Sequence, residues 1–220
     1  MSGAGEGLCV ILGAGAQGRV TLDVWRSARP SAKFVFLDDD ASLKGATVLG
    51  VEVVGALSDA PRMGGCAILA FGNPVARLAT ASRLEGVRWG VAVHASAVVM
   101  PSAKLGPGTT VFAASVVNTG AALGAHVIVN TAAVVEHDCV IEDGVNLSPG
   151  VRMGGRVHVG KGAFVAAGVT LAPRTRVGAG AVVGAGAVVI RDVPDRVLAY
   201  GNPAKTVRSI DASFDWKKLL

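Results

Sequence analysis

From Val93 onward, every sixth residue is aliphatic or Met, through Val111, Leu123, Val135 and Met153 to Val189, seventeen positions in succession. All four leucines of this stretch (Leu105, Leu123, Leu147, Leu171) fall in that register, and the residue two places ahead of each register position, from Val91 to Ala187, is only Val, Ala, Thr, Ser or Cys. A period of six is neither the 3.6 of an amphipathic helix nor the simple alternation of a half-buried strand. It predicts a coil of eighteen residues with three flat faces, each turning one large aliphatic and one small side chain inward. Gly106, Gly124, Gly154, Gly160, Gly178 and Gly184 are expected to permit the corner conformations. This is the pattern of a parallel β-helix of hexapeptide repeats, between five and six coils over residues 91–193. Spacing alone does not reveal its hand.

The first ninety residues follow a different rule. Leu8–Leu12 reads as a buried strand and runs directly into Gly13-Ala14-Gly15-Ala16-Gln17-Gly18. A helix is predicted over about 17–28, a second strand from Phe34 to Leu37 closed by Asp38-Asp39-Asp40, and a third from Cys66 to Phe71. Gly72-Asn73-Pro74 then opens a helix to about Leu84. The pattern predicts a small, Rossmann-like α/β unit. The expected organisation is an α/β domain over 1–88, the β-helix over 89–195, and a C-terminal cap and tail over 196–220.

A G-x-G-x-x-G string between a strand and a helix lets backbone N–H groups approach a diphosphate at the helix N-terminus. Asp38, twenty residues past Gly18, is expected to take a ribose or base donor. The alternative is that the glycines only shape a tight turn. NAD is disfavoured, because a full dinucleotide domain needs a second half and only about fifty residues separate Asp38 from the first coil. A single nucleotide diphosphate fits better.

Composition narrows the classes further. The 220 residues are 51% hydrophobic and 17% charged, which excludes a disordered chain. No run of eighteen apolar residues free of frequent Gly suggests a membrane span, and the small, acidic start at 1–7 does not read as a secretory signal. Three cysteines in unrelated contexts (Cys9, Cys66, Cys139) argue against a disulfide framework, so a cytoplasmic protein is expected. The net charge of +5 is spread out, with Lys217-Lys218 the longest basic block, and ten aromatics are few for nucleic-acid binding. An anionic small molecule remains open.

Ionisable residues are sparse in the repeats. His137 lies two residues past Val135, off the inward set, and Asp138 follows it, a neighbour suited to fixing an imidazole tautomer. Asn118 and Asn130 are expected in the same groove, given an eighteen-residue coil. A solvated surface histidine accounts for His137 as well as a general base does. His94, His126 and His158 occupy other hexad positions without an adjacent acid, and no set of three converges as zinc would require. Cys139 holds an inward small position and reads as core, not as a nucleophile.

Taken together, Leu12-Gly13-Ala14-Gly15-Ala16-Gln17-Gly18, Phe36-Leu37-Asp38-Asp39, Ala70-Phe71-Gly72-Asn73, Val129-Asn130-Thr131, Val135-Glu136-His137-Asp138-Cys139-Val140-Ile141 and Tyr200-Gly201-Asn202-Pro203-Ala204-Lys205 resemble the sugar acyltransferases related to sialic acid O-acetyltransferase. The chain is similar in particular to N-acetyltransferases of nucleotide-linked 4-amino-4,6-dideoxy sugars. The resemblance implies a left-handed β-helix, a homotrimer and acetyl-CoA as co-substrate; from the histidine registers, no metal is expected. It implies His137 as general base oriented by Asp138, with Asn118 and Asn130 on the substrate side. Gly13, Gly15, Gln17, Asp38, Asp39 and Asn73 would hold the nucleotide. Asn146 stands where several relatives have a His contacting acetyl-CoA, and Gln17 replaces a His of some relatives. Gly155 and the amides near Ala167 and Gly168 would line the pantetheine path between subunits, and Lys205 would meet a CoA phosphate. O-acetylation of a sugar, and a nucleotide-sugar-binding β-helix without turnover, are the alternatives.

Overall fold

The structure, a computed structural model, describes residues 7–211 and 213–216; the acidic start at 1–6 and the Lys217-Lys218 pair lie outside the described residues. The N-terminal unit runs β1 (Leu8–Leu12), α1 (Ala16–Ala28), β2 (Lys33–Leu37), β3 (Thr47–Val48), β4 (Val51–Gly55), β5 (Cys66–Leu69) and α2 (Pro74–Arg83). Its sheet has the order β3-β4-β2-β1-β5, parallel except for the β3–β4 hairpin. That hairpin was not legible in the sequence: it turns through Leu49 and Gly50, both left-handed, and its strands are too short for a pattern to show. β1 has β2 on one side and β5 on the other, so the strand order reverses at Gly13 beside Phe71-Gly72-Asn73, where such sheets bind ligands.

The repeats form a left-handed parallel β-helix of two-residue strands, from β6 (Ala92–Val93) to β22 (Val188–Val189). Strands eighteen residues apart pair in register, as Val116 with Val134 and Val117 with Val135, and they build three sheets. The second residue of each strand is the register position. From Val111 to Val189 all fourteen of these are buried, as are Ala133, Cys139 and the other small residues beside them. Val93, Val99 and Leu105 in the first coil stay half-exposed because no coil lies beneath them.

The corners correct one expectation. Left-handed φ recurs at every sixth residue from Gly108 to Gly186, three places past the register, and Ala114, His126, Ala132, Asp138, Arg156 and Arg174 adopt it as well as glycine. Gly106, Gly124, Gly154, Gly160, Gly178 and Gly184 do not have it. They are needed for close stacking instead: a Cβ on Gly160 would sit 2.6 Å from the Ala179 nitrogen one coil on, and one on Gly154 2.6 Å from the Pro173 ring.

The first face (outward residues Ala92, Thr110, Ile128, Asn146, Phe164, Val182) is covered. Leu22, Val24 and Trp25 of α1 pack with Ala92, Phe112 and Ile128, while Phe214 and Trp216 close over Phe164 and Val182. The second face (Val98, Val116, Val134, Arg152, Thr170, Val188) and the third (Lys104, Ala122, Val140, His158, Arg176) have no covering element among the described residues. β23 (Val197–Tyr200) extends the first face, and β24 (Lys205–Ser209) returns antiparallel against it. Residues 88–90 bond to Ala67 of β5 before entering the first coil, so the two sheets join without a free linker. Among the described residues, no helix is long and apolar enough to cross a membrane.

His126 is part of this frame. It is buried edge-on against Trp89 with ring centroids 4.7 Å apart, and its Nδ1 has no partner among the described residues. Burial, with a smaller push from Arg77, lowers its pKa from 6.5 to about 4. The unfolded chain therefore binds a proton that the folded chain refuses between those pH values. The stability is full above pH 6.5 and is lost as pH falls through about 4. The loss amounts to about 3 kcal/mol. Denaturation of wild type and His126→Asn at pH 7 and pH 4.5 checks this: the variant should lose about 2–3 kcal/mol less on acidification.

Candidate active site

His137 and Asp138 lie at the corner between the second and third faces, after Val134–Val135 and before Val140–Ile141. The imidazole Nδ1 is 2.9 Å from Asp138 Oδ2, and both side chains are about half exposed (51% and 53%). That hydrogen bond, largest among the causes, holds the Asp138 carboxyl below its usual range. An ionised Asp138 accepts the Nδ1 proton, which leaves the lone pair on Nε2. Asp138 takes left-handed backbone (φ 58°), a conformation its short polar side chain tolerates.

The neighbouring coils shape this pair. A Cβ on Gly155, eighteen residues beyond His137, would run into the imidazole at Nε2, and one on Gly120 would sit 2.6 Å from Asp138 Oδ1. Arg156 Nε lies 3.7 Å from Asp138 Oδ2 and Asn118 donates its backbone N–H to the Val135 carbonyl. Arg156 and Gly120 went unnoticed in the sequence, although the coil length of eighteen, added to or subtracted from 138, points to both.

The expectation of one groove for Asn118 and Asn130 does not hold within a protomer. Asn118 is at the corner with His137. Asn130 is at the other edge of the second face, where its Oδ1 accepts from the Thr131 N–H. The six-residue period moves a side chain to the next corner, and twelve residues separate the two asparagines. Ala167 and Gly168 share the corner of Asn130, whereas Gly155 shares that of His137. Asn146 points out from the first face, 5% exposed, and donates to Ser148 Oγ at 3.1 Å. Lys205 is exposed on β24. His158 does meet an acid, contrary to its sequence neighbours: Nε2 is 2.7 Å from Glu142 Oε1 and Arg176 Nη1 is 2.7 Å from Nδ1. The coil brings all three onto the third face. Cys139 is fully buried, bonded to the Gly154 carbonyl at 3.3 Å, and burial pushes its thiol up, which leaves it no thiolate character.

The nucleotide candidates gather at the carboxyl ends of β1, β2 and β5. Gly13 (φ 109°) donates to the Leu37 carbonyl, and a Cβ there would strike the Phe71 ring; one on Gly18 would strike the Gly13 carbonyl. Those two glycines shape the turn. Gly15 does not: φ is −73° and no atom lies within 4 Å of its Cβ site, which faces open space at the N-terminus of α1. Asp38 also has a supporting part: its Oδ2 accepts from the Ala14 N–H at 2.7 Å and its Oδ1 from the Asp40 N–H at 2.9 Å, so it braces the turn. Asp39 accepts from the Leu57 N–H and lines a separate cavity of about 210 Å³ with Ser58, Thr80 and Arg83. Asn73 caps α2 through the Val75 and Ala76 amides. The Gln17 side-chain nitrogen is buried without a partner among the described residues.

A β-helix of hexapeptide coils with a histidine–carboxylate pair at one corner, joined to a small α/β domain with an open glycine turn, defines a hexapeptide-repeat transferase. The family profile "Bacterial transferase hexapeptide (six repeats)" matches residues 156–191. Among solved structures, the acetyltransferase domain of PglB from Neisseria gonorrhoeae, in complex with acetyl coenzyme A, is 35% identical, with 92% of this chain and 100% of that one covered and a TM-score of 0.86. PerB from Caulobacter crescentus, in complex with CoA and GDP-perosamine, is 36% identical over 93% of this chain and 99% of its own (TM-score 0.85). WeeI from Acinetobacter baumannii is 28% identical over 91% and 99% (TM-score 0.83). No curated protein sequence matches the chain. The chain belongs to the hexapeptide-repeat acetyltransferase family of the PglB domain and PerB.

Proposed function

We infer that the protein transfers the acetyl group of acetyl-CoA to the amino group of a nucleotide-linked amino-dideoxysugar. The observation that carries this is near full-length likeness to an acetyltransferase bound to acetyl-CoA and to PerB bound to CoA and GDP-perosamine, combined with a free His137 Nε2. The neutral sugar amine attacks the thioester carbonyl, forming the N–C bond. His137 Nε2 accepts the proton that the nitrogen loses, and the C–S bond then breaks. The departing CoA sulfur recovers that proton from the imidazolium, so the enzyme returns to its starting state. Asp138 holds the ring and offsets the charge that forms on it. Direct transfer suits a site whose adjacent thiol, Cys139, is sealed in the core.

Asn118, His137, Asp138 and Gly155 occupy one corner, while Asn130, Ala167 and Gly168 occupy another. A homotrimer that sets the first corner of one protomer against the second corner of its neighbour joins the two sets, with the pantetheine between them and Lys205 at a CoA phosphate. Its working substrates are cytoplasmic metabolites, and we place the enzyme there.

A thiol-release assay tests the reading. Acetyl-CoA with UDP-, GDP- or dTDP-linked 4-amino-4,6-dideoxy sugar should release CoA, and the 4-hydroxy analogues should not. Turnover of the hydroxyl analogue alone would make it an O-acetyltransferase, and silence with every acceptor despite CoA binding would leave a binding protein. Sedimentation in the assay buffer should show the active species at three protomer masses; an active monomer would remove the shared groove.

A further inference from the structure

Arg77 lies inside α2, is 0% exposed, and has no carboxylate partner among the described residues. Every N–H of its guanidinium goes to a backbone carbonyl. Nε donates to His126 (2.9 Å), Nη2 to Gly144 (2.9 Å) and Val145 (3.3 Å), and Nη1 to Phe71 and Gly72. Burial lowers its pKa to about 9, which leaves it charged at neutral pH. A buried charge is costly unless each donor is met, and the planar five-donor fork of arginine meets five acceptors where a lysine could reach at most three.

The acceptors fall in two groups. Phe71 and Gly72 follow β5 at the strand-order reversal, the Phe71 ring lies against Gly13 of the glycine turn, and Asn73 follows at once. Gly144 and Val145 lead directly into Asn146 on the first face of the β-helix, and His126 lies one coil below Gly144. Leu78, the next residue of α2, covers the same coils: a Cβ on Gly144 would sit 2.5 Å from its Cγ.

We propose that Arg77 is a positioning residue for the acceptor: through Phe71 and Gly72 it sets where the nucleotide turn stands relative to the acyl-transfer coils, so that an amine tethered to the nucleotide arrives in register with the thioester. This rests on the acetyltransferase reading and extends it to a residue that touches neither substrate. The tether is what Arg77 acts on. A free amino sugar, which lacks the nucleotide and diffuses to the thioester unaided, is indifferent to it.

The test compares Arg77→Lys with wild type on two acceptors: the best nucleotide-linked 4-amino-4,6-dideoxy sugar and the same amino sugar without its nucleotide. The expected result is at least a tenfold fall in kcat/KM for the linked acceptor, with less than a twofold change for the free sugar and for the Kd of CoA. Equal losses on both acceptors, or no loss on either, would overturn the proposal. If Arg77→Lys does not fold, Leu78→Ala loosens the same contact without stranding a buried charge and should show the same selective loss, smaller in size; an unselective effect there overturns the proposal equally. Wild type supplies the control for the underlying reading. A wild type that does not prefer the linked acceptor refutes the nucleotide site and the proposal with it, whereas a wild-type preference that survives Arg77→Lys refutes the Arg77 inference alone.

Discussion

Replacing His137 with Ala or Asn should lower kcat by about 10²-fold or more while leaving the Kd of CoA within a factor of two. The imidazole is held by the 2.9 Å bond to Asp138, and with Nδ1 so engaged its Nε2 is the nitrogen left to take the proton from an attacking amine. The side chain is half exposed, so the melting temperature should stay near that of wild type. Asp138→Asn should cost less than the loss of the ring, because it keeps the shape of the contact while removing the charge that favours imidazolium. Its neighbour Gly155 supplies a geometric control. Gly155→Ala drives a methyl into the imidazole at Nε2, so the ring must leave its position, and kcat should fall although the histidine is still present. Steady-state kinetics with CoA-binding calorimetry check these together. Wild-type turnover in His137→Ala would make His137 a surface histidine and end the base assignment.

Gly15→Val should raise the KM for the nucleotide sugar strongly, by about tenfold or more, and leave the KM for acetyl-CoA nearly unchanged. The structure sharpens this test. Valine at Gly13 or Gly18 would break the turn itself, because both sites are filled by neighbouring atoms. Gly15 has ordinary backbone and open space before it, so a fold-only role for that glycine predicts almost no effect on either constant. Bulk there removes only the close approach of a ligand to the N-terminus of α1. Asp38→Ala should act in the same direction through the turn it braces. It loses two hydrogen bonds to backbone N–H groups, each worth about 1–3 kcal/mol when the acceptor is charged. Measuring both KM values and the melting temperature separates the cases: an unchanged sugar-nucleotide KM in a well-folded Gly15→Val protein would exclude the turn as the nucleotide site.

Several local features were legible from residue types alone. β1, β2, β5 and both helices were marked by strand runs, a glycine turn and an Asn-Pro helix start, with bounds shifted by a residue or two. The histidine–aspartate pair was visible because the two residues are adjacent. Asn118 and Asn130 fall at different corners because only residues eighteen apart share one, and twelve separate these two. The spacing from Gly18 marks Asp38 as a ligand group, but its bonds to the Ala14 and Asp40 amides are invisible in the sequence, because any residue at those two positions provides a backbone N–H.

By itself, the sequence determined the β-helix. Six-residue periodicity is a local rule repeated without a break, and each inward position states its own size, so no distant contact is needed to specify the coil. Tertiary structure alone decided which neighbours come into contact and at what distance: the His137 ring against Gly155, Arg156 3.7 Å from Asp138, His158 between Glu142 and Arg176, and five carbonyls around Arg77. The reason is physical. A carbonyl or an absent Cβ belongs to the backbone and leaves little mark in residue type, so which of them a side chain meets is settled only when one coil stacks on the next and the α/β domain docks against them.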